Sequence, residues 1–279
     1  MSRQDSIADN ATNTIEQWAL AYLRSPTLEP RRKVAATPAE FAESPIAQPE
    51  ARPTRPAPLR VVDRAEKVAS HPEALRSAEK RAALLHSFAH HELQAAELFA
   101  WAIVAWPDAP APFRRGLVKI MLDEARHLDL YLSRVEALGF AWGDWEVRDW
   151  FWQRIASAKS PAHFVATMGL GFEGANLDHG ARFAALLDHA GDRESAAIVR
   201  LVAEEERSHV AFAAHWFERF TGTIEPGAWR AHLVEPLSPL VMRGPTIDRA
   251  ARLRASMPEA LIDAIAAYDP KTDPTRARK

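Results

Sequence analysis

The sequence predicts an all-α protein: a four-helix bundle with one long crossover, an extended N-terminal arm and short helices in a C-terminal extension. Three observations predict it. From about His71 the chain runs in long Ala/Leu/Arg/Glu segments with almost no β-branched alternation, which is helical composition. Turn residues cut this stretch into four long segments. The gaps between them are short, long and short, the order that joins two antiparallel hairpins through a crossover.

The N-terminal arm comes first. Nine of the 20 prolines fall between Pro26 and Pro72, and each internal proline would cost a helix roughly 3 kcal/mol. A short helix around Thr14 to Leu23 precedes this stretch, which reads either as an extended arm or as a disordered tail. The first long segment runs from about Pro72, suited to a first helical turn, to Trp106, where WPDAPAP closes it. The second covers about Pro112 to Leu138 and ends at Gly139. The third starts near Pro161, after a Ser160 cap, and reaches about Ala190 before a Gly191-Asp192 turn. The fourth spans about Arg193 to Phe220 and stops at Thr221-Gly222. The linker from Gly139 to Ser160 could extend ~70 Å at about 3.3 Å per residue, enough to return along a helix of ~27 residues. Beyond Gly222 recurrent prolines leave room for short helices such as Thr246 to Ala255 and Pro258 to Ala267. The expected divisions are an arm at 1–70, a bundle at 71–220 and an extension at 221–279.

Composition narrows the chemistry. The absence of cysteine removes disulfide frameworks, thiol nucleophiles, thiolate zinc sites and cysteine-held iron–sulfur clusters. With 35 Lys+Arg against 37 Asp+Glu the net charge is only -2, so nothing global marks a polyanion-binding surface, and nucleic acid is not expected as a partner. The longest apolar run, Leu98 to Trp106, is far short of the about 20 residues a membrane span needs. The first residues show no basic start followed by an apolar stretch, so no signal peptide and a cytoplasmic location are expected.

The acids and the 11 histidines then carry the argument. The second segment contains Asp123-Glu124-Ala-Arg-His127 and the fourth Glu205-Glu206-Arg-Ser-His209. Glu-x-x-His puts a carboxylate and an imidazole about 60° apart on one helix face, able to bind the same cation. Singly the motif is weak, but its placement is not. Glu92 lies 32 residues before Glu124, and Glu173 lies 33 before Glu206, so a lone Glu followed by Glu-x-x-His recurs at an offset of about 81 residues. Measured from each hairpin's turn, all four glutamates fall at the same depth within about one helical turn, ~5 Å. Glu97 is the rival to Glu92 but fits the repeat less well. Six ligands result: Glu92, Glu124, His127, Glu173, Glu206 and His209. Four buried carboxylates would each lose several kcal/mol of solvation unless cations compensated them. An oxygen-rich, thiol-free set suits iron or manganese better than structural zinc, although ligand type alone leaves Zn and Co open.

These residues resemble the ferritin-like di-iron carboxylate superfamily, whose signature is a lone Glu and a Glu-x-x-His from each helical hairpin. More narrowly, His90-His91-Glu92, Asp123-Glu124-Ala-Arg-His127, Phe172-Glu173 and Glu206-Arg-Ser-His209 look like an uncharacterised ferritin-like family, domain of unknown function 455. The resemblance spans about residues 70–220 and implies metal ligands at the six matching positions. It implies two Fe ions, with Mn or a mixed Mn/Fe pair as variants, and fixes no reaction. Rubrerythrin-like peroxidases differ, because their rubredoxin module needs four cysteines.

Several neighbours of the ligands are small. Ala95, Ala96, Ala203, Ala213 and Gly169 would either leave an apolar cavity beside the metals or let the helices approach closely. Gly169, Gly171 and Gly174 flank Glu173, which suggests either a π-type widening that re-aims it or tight packing against a neighbour. Tyr131, one turn after His127, is a hydrogen-bonding candidate or simply core. Glu97 and Asp178 each follow a lone glutamate by five residues and are candidates to orient the imidazoles of the opposite hairpin. His90, His91 and His179 read as structural or solvent-facing. Trp142, Trp145, Trp150, Phe151 and Trp152 are expected to anchor the crossover on the bundle. The expected function is a dimetal oxidoreductase that uses O₂ or peroxide on a small organic substrate, with an external electron donor if it is an oxygenase. The alternative is an iron-binding or ferroxidase-type protein without organic substrate. A homodimer is left open. The Arg-rich arm (Arg31, Arg32, Arg52, Arg55, Arg60) keeps a tRNA-modifying variant in view.

Overall fold

A computed structural model describes residues 14–43, 52–68 and 70–273. The expectation of no signal peptide rests on residues outside that set. The described chain is all-helical: α1 (Ile15–Arg24), α2 (Glu29–Arg32), α3 (Ala78–Ala105), α4 (Ala111–Ala137), α5 (Trp152–Ile155), α6 (Pro161–Phe164), α7 (Gly174–His189), α8 (Arg193–Thr221), α9 (Pro226–Ala231), α10 (Arg249–Arg254) and α11 (Glu259–Ala267). A π-helical stretch, Val165–Glu173, joins α6 to α7. No strand ladder forms among the described residues, only a single bridge between Val61 and Val147.

Local chemistry sets the helix ends. Thr14 and Gln17 form a reciprocal capping box at the start of α1. The first long helix starts later than expected: Pro72 lies in a turn, and Ser77 caps α3 by accepting from the Lys80 amide. Asp192 caps α8 through the Ser195 amide at 3.0 Å. Gly222 ends the same helix with φ 76°, a left-handed conformation that costs glycine nothing.

α3 packs antiparallel on α4, α7 with its π-helical lead on α8, and α4 crosses to α8 at the bundle centre. The crossover between α4 and α6 carries α5 and is held as the tryptophans suggested. The Gln94 side chain accepts from the Phe151 and Trp152 amides at 3.2 Å each, and the Trp142 ring sits 5.1 Å from His86.

The N-terminal arm is extended and fastened wherever it is described. α1 lies along α3. Fully buried Arg31 donates to Leu23, Ser25 and Thr54 carbonyls, stitching the arm to itself. Arg32 reaches Asp129, Ser133 and Glu136 on α4, and Arg60 lies 3.6 Å from Glu146. Arg31, Arg32, Arg55 and Arg60 of the arm each meet an acidic side chain. The C-terminal extension folds back over α7 and α8 through α10. No described helix is long and apolar enough to cross a membrane.

Candidate metal centre

The two hairpins bring all six sequence-predicted residues to one place. Glu92 comes from α3, Glu124 and His127 from α4, Glu173 from the end of the π-helix, and Glu206 and His209 from α8. Each is at most 5% exposed. Ligand atoms of Glu92, Glu124, His127 and Glu206 all lie within 4.8 Å of one another, a buried group able to hold a metal ion. His209 Nδ1 adds to this group, 3.0 Å from Glu124 and 2.9 Å from Glu206. Glu173 faces Glu206 across the same space and is steadied by Asn176 Nδ2 at 3.2 Å.

The glycines around Glu173 serve both readings that the sequence left open. The chain widens into a π-helix over Val165–Glu173, and the packing at its two glycines leaves no room for a side chain. A methyl group on Gly169 would collide with Ala213 of α8, and one on Gly171 with Met242. The wide turn and the close approach are thus one feature: the glycines let the backbone swell inward until Glu173 faces the centre.

The interior is electrostatically incomplete. Both oxygens of Glu124, Oε1 of Glu173, Oε1 of Glu206 and Nδ1 of His127 are buried without a hydrogen-bond partner. Burial pushes the Glu92 and Glu173 carboxyls well above the usual range, and neighbouring carboxylates push them further. Burial opposes charge on both imidazoles. The close carboxylates of Glu124, Glu206 and Glu92 outweigh it at His127, and the charge of Glu206 leads those that outweigh it at His209. Both imidazoles are therefore held well above the ordinary range, and protons stand in for missing positive charge. Unpaired lone pairs converging on one buried point are what a pair of cations would satisfy, so the donor set fits divalent metals.

The two imidazoles present the same nitrogen to the centre. His127 turns Nδ1 toward Glu92, Glu124 and Glu206, while Nε2 meets Glu205 at 2.8 Å. His209 turns Nδ1 inward, while Nε2 meets Asp123 at 3.3 Å. The exchange is reciprocal: the acid just before each Glu-x-x-His glutamate holds the histidine of the other hairpin. Arg126 and Lys119 fix those acids from outside. Burial alone would raise Asp123, yet the bond to His209 and the charges around it bring it down to about 2. An outer carboxylate of this kind fixes the tautomer and makes the inner nitrogen more basic.

Glu97 and Asp178, expected in that role, do not fill it. A five-residue step turns ~140° around a helix, and both side chains point away from the imidazoles to arginines of the terminal extensions. Asp178 accepts from Arg252 Nε and Nη2 at 3.0 and 2.8 Å and from the Gly244 and Asp248 amides at 2.9 Å each. Glu97 is met by Arg31 at 3.2 Å and by Arg55. Sequence reasoning missed Asp123 and Glu205 although both were in view as the doubled acids of Asp-Glu and Glu-Glu. That doubling was the available signal.

A cavity of about 360 Å³ opens directly on the centre and is lined by Glu92, Glu173 and Glu206. It lies between α3 and α7, which scarcely pack against each other. Its walls are largely apolar and include six aromatic side chains, with Phe88 set edge-to-face against both Tyr131 and Phe183. Tyr131 is thus core and cavity wall together, and burial holds its hydroxyl well above the usual range. Of the three histidines read as structural or solvent-facing, His90 is buried against Gln94 and Asp149, whereas His91 and His179 line the cavity. His91 is exposed along that wall and set edge-to-face against Phe151 at 5.1 Å.

The model of one family, described as "Protein of unknown function (DUF455)", matches residues 10–263. No curated protein matches the chain. No solved structure matches it.

Proposed function

The chain belongs to the DUF455 family, and we propose that it is a dimetal-carboxylate oxidoreductase of ferritin-like type that oxidises or hydroxylates a small organic substrate with O₂ or peroxide. One observation carries this reading: the cavity of about 360 Å³ is walled by aromatic side chains and floored by three of the six metal-facing residues. A centre that only passed iron ions would need a polar path, whereas an apolar chamber against the carboxylates suits an organic molecule.

Glu92, Glu124, His127, Glu173, Glu206 and His209 would hold two ions, iron by preference for this oxygen-rich set, with manganese or a mixed pair as variants. Two iron ions bound there would supply the electrons and open coordination positions needed to reduce O₂ or peroxide. The chain's own groups do the rest. Asp123 and Glu205 keep the outer protons of the imidazoles on Nε2, so that Nδ1 stays available inside. Phe88, Phe151 and Phe172 give the chamber apolar walls. Glu173, at the end of the widened turn, has one oxygen held by Asn176 and one unpartnered, the arrangement of a ligand that can change its mode of contact. With no cysteine in the sequence, electrons for an oxygenase cycle come from a separate donor.

Anaerobic iron loading followed by metal analysis is the first test. About two ions per chain are expected, falling below one in Glu124→Ala and Glu206→Ala. O₂ uptake by the loaded protein should then turn over repeatedly with an organic substrate and reductant. A single stoichiometric oxidation with every substrate offered would favour iron handling without an organic substrate.

A further inference from the structure

The cavity has a property that metal binding does not demand. Among 35 Lys+Arg, none of the described ones lines it, and its only ionisable acids are Glu92, Glu173 and Glu206, which face the centre. An anionic group placed in the body of this chamber would meet no cation and would lie beside carboxylates, which costs far more than an apolar wall returns. A cationic group would compete with the metals for the same acids. The remaining polar lining is neutral in type: Ser70, Tyr131, Ser87 and His91, the last two one turn apart on α3, and Asn176 and His179, one turn apart on α7.

His179 is the informative member. Its ring lines the cavity, stacked on Phe183 at 6.2 Å, which fixes its plane; Nδ1 is buried without a hydrogen-bond partner among the described residues, so Nε2 is the nitrogen left for a molecule in the cavity to reach. An imidazole nitrogen that faces a cavity without a protein partner is a site for a ligand's hydrogen bond. Six residues separate it from Glu173, ~9 Å along the helix axis at 1.5 Å per residue. A molecule bonded at His179 and reaching the centre would therefore be about as long as two fused six-membered rings. The walls along that path are Phe88, Phe172 and Phe183, with Trp150 and Phe151 from the crossover.

Building on the oxidoreductase reading, we propose that the substrate is an uncharged, flat, largely apolar molecule with one hydrogen-bonding group. His179 holds that group at the end of the cavity remote from the metals. The position presented to the centre is then the end opposite the polar group, which sets regiochemistry by length.

The test uses the iron-loaded full-length protein and two probes of one shape, 2-naphthamide and naphthalene-2-sulfonate, a poor metal ligand. Binding is followed by calorimetry, with metal content measured on the same samples. The amide should bind at least about tenfold tighter than the sulfonate, as expected for an unpaired buried charge. His179→Phe should weaken the amide about fivefold, one hydrogen bond's worth, while leaving unsubstituted naphthalene unchanged. His179→Asn, which restores a neutral hydrogen-bonding group, should recover part of the loss. Unchanged naphthalene affinity certifies that the variant's cavity is intact. Equal binding of sulfonate and amide, or an amide affinity indifferent to His179→Phe, would overturn the proposal. Failure of the dimetal reading shows separately, as metal content below one per chain, because the cavity assay does not depend on turnover.

Discussion

Glu92 and Glu97 stand five residues apart on α3, and Glu173 and Asp178 stand five apart where the π-helix passes into α7. All four are buried. The inner pair faces the bundle centre, where neighbouring oxygens lack partners and burial raises both carboxyls. The outer pair faces the terminal extensions, where Arg31 and Arg55 meet Glu97 and Arg252 meets Asp178. One electrostatic problem thus has two solutions on each hairpin: a cation built into the chain on one face and, on our reading, a cation taken from solution on the other. The repeat seen in the sequence extends to this division of labour. The outer pair is not uniform. Asp178 is fully satisfied, whereas Glu97 Oε1 lacks an aligned hydrogen bond and burial holds its carboxyl above the usual range against both arginines.

The sharpest break in this comparison removes a built-in cation. Arg252→Met should cost about 3–5 kcal/mol in denaturant unfolding of the metal-free protein, since it strands Asp178 in a fully buried position. Replacing both partners with apolar residues, Arg252→Met with Asp178→Leu, should recover much of that loss. A single substitution costing under about 1 kcal/mol would show that burial is not what makes the outer pair depend on its arginine.

The same operation on the inner face should have the opposite sign. Glu173→Gln removes a carboxyl that already suffers from burial and from Glu206, so the metal-free protein should gain about 1 kcal/mol while metal binding falls sharply. Thermal unfolding with and without added Fe(II) or Mn(II) reads both effects. Wild type should gain about 2.7 kcal/mol at a metal concentration of 100 times Kd, and Glu173→Gln should gain much less.

Protons report on the same contrast. In the metal-free centre both imidazoles are raised well above their ordinary value, which favours their charged forms, and burial raises the Glu92 and Glu173 carboxyls, which favours their protonated forms. Their stabilising effect is complete below the unfolded-state values and is lost as pH rises through the folded-state ones. Metal binding requires them deprotonated, so loading at pH 7 should release about two to four protons per chain in a pH-stat, and affinity should rise with pH. Loading without proton release would mean that the ions bind elsewhere.

Asp123→Asn and Glu205→Gln lie between the two regions. Each removes a partially exposed acid that holds an inner-face histidine, so metal affinity should drop about 10–100-fold by calorimetric titration, with stability of the metal-free protein nearly unchanged.

What the sequence disclosed and what it withheld divide along physical lines. The long helices were readable because Gly139, Gly191 and Gly222 mark their ends, each at positive φ. The six inner residues were readable because a repeat in register needs only the 3.6-residue period and a turn position. Partnership across the fold was not. Glu97 and Asp178 echoed the repeat, and an echo looks the same whether the partner is an imidazole or an arginine from the arm. Asp123 and Glu205 were passed over because an acid adjacent to a ligand sits about 100° away on its own helix and reaches a histidine only on another. The π-helix had no unique code either, since glycines that permit a widened turn also permit close packing.

The smallest expected effect tests whether burial is the variable that separates these groups. Arg32 ties the arm to Asp129 and Glu136 on α4, as Arg252 ties the C-terminal extension to Asp178, but its partners are 38% and 49% exposed. Water already solvates those carboxylates, so losing the guanidinium strands nothing. Arg32→Ala should cost no more than about 1 kcal/mol, and that loss should shrink further in about 0.5 M salt because exposed pairs are screened. The cost of Arg252→Met should be nearly insensitive to the same salt. If the two substitutions instead cost alike, the arginines of both extensions would be acting through packing of their stems, and the inner carboxylates would lose their claim to be the only buried acids that need a cation from solution.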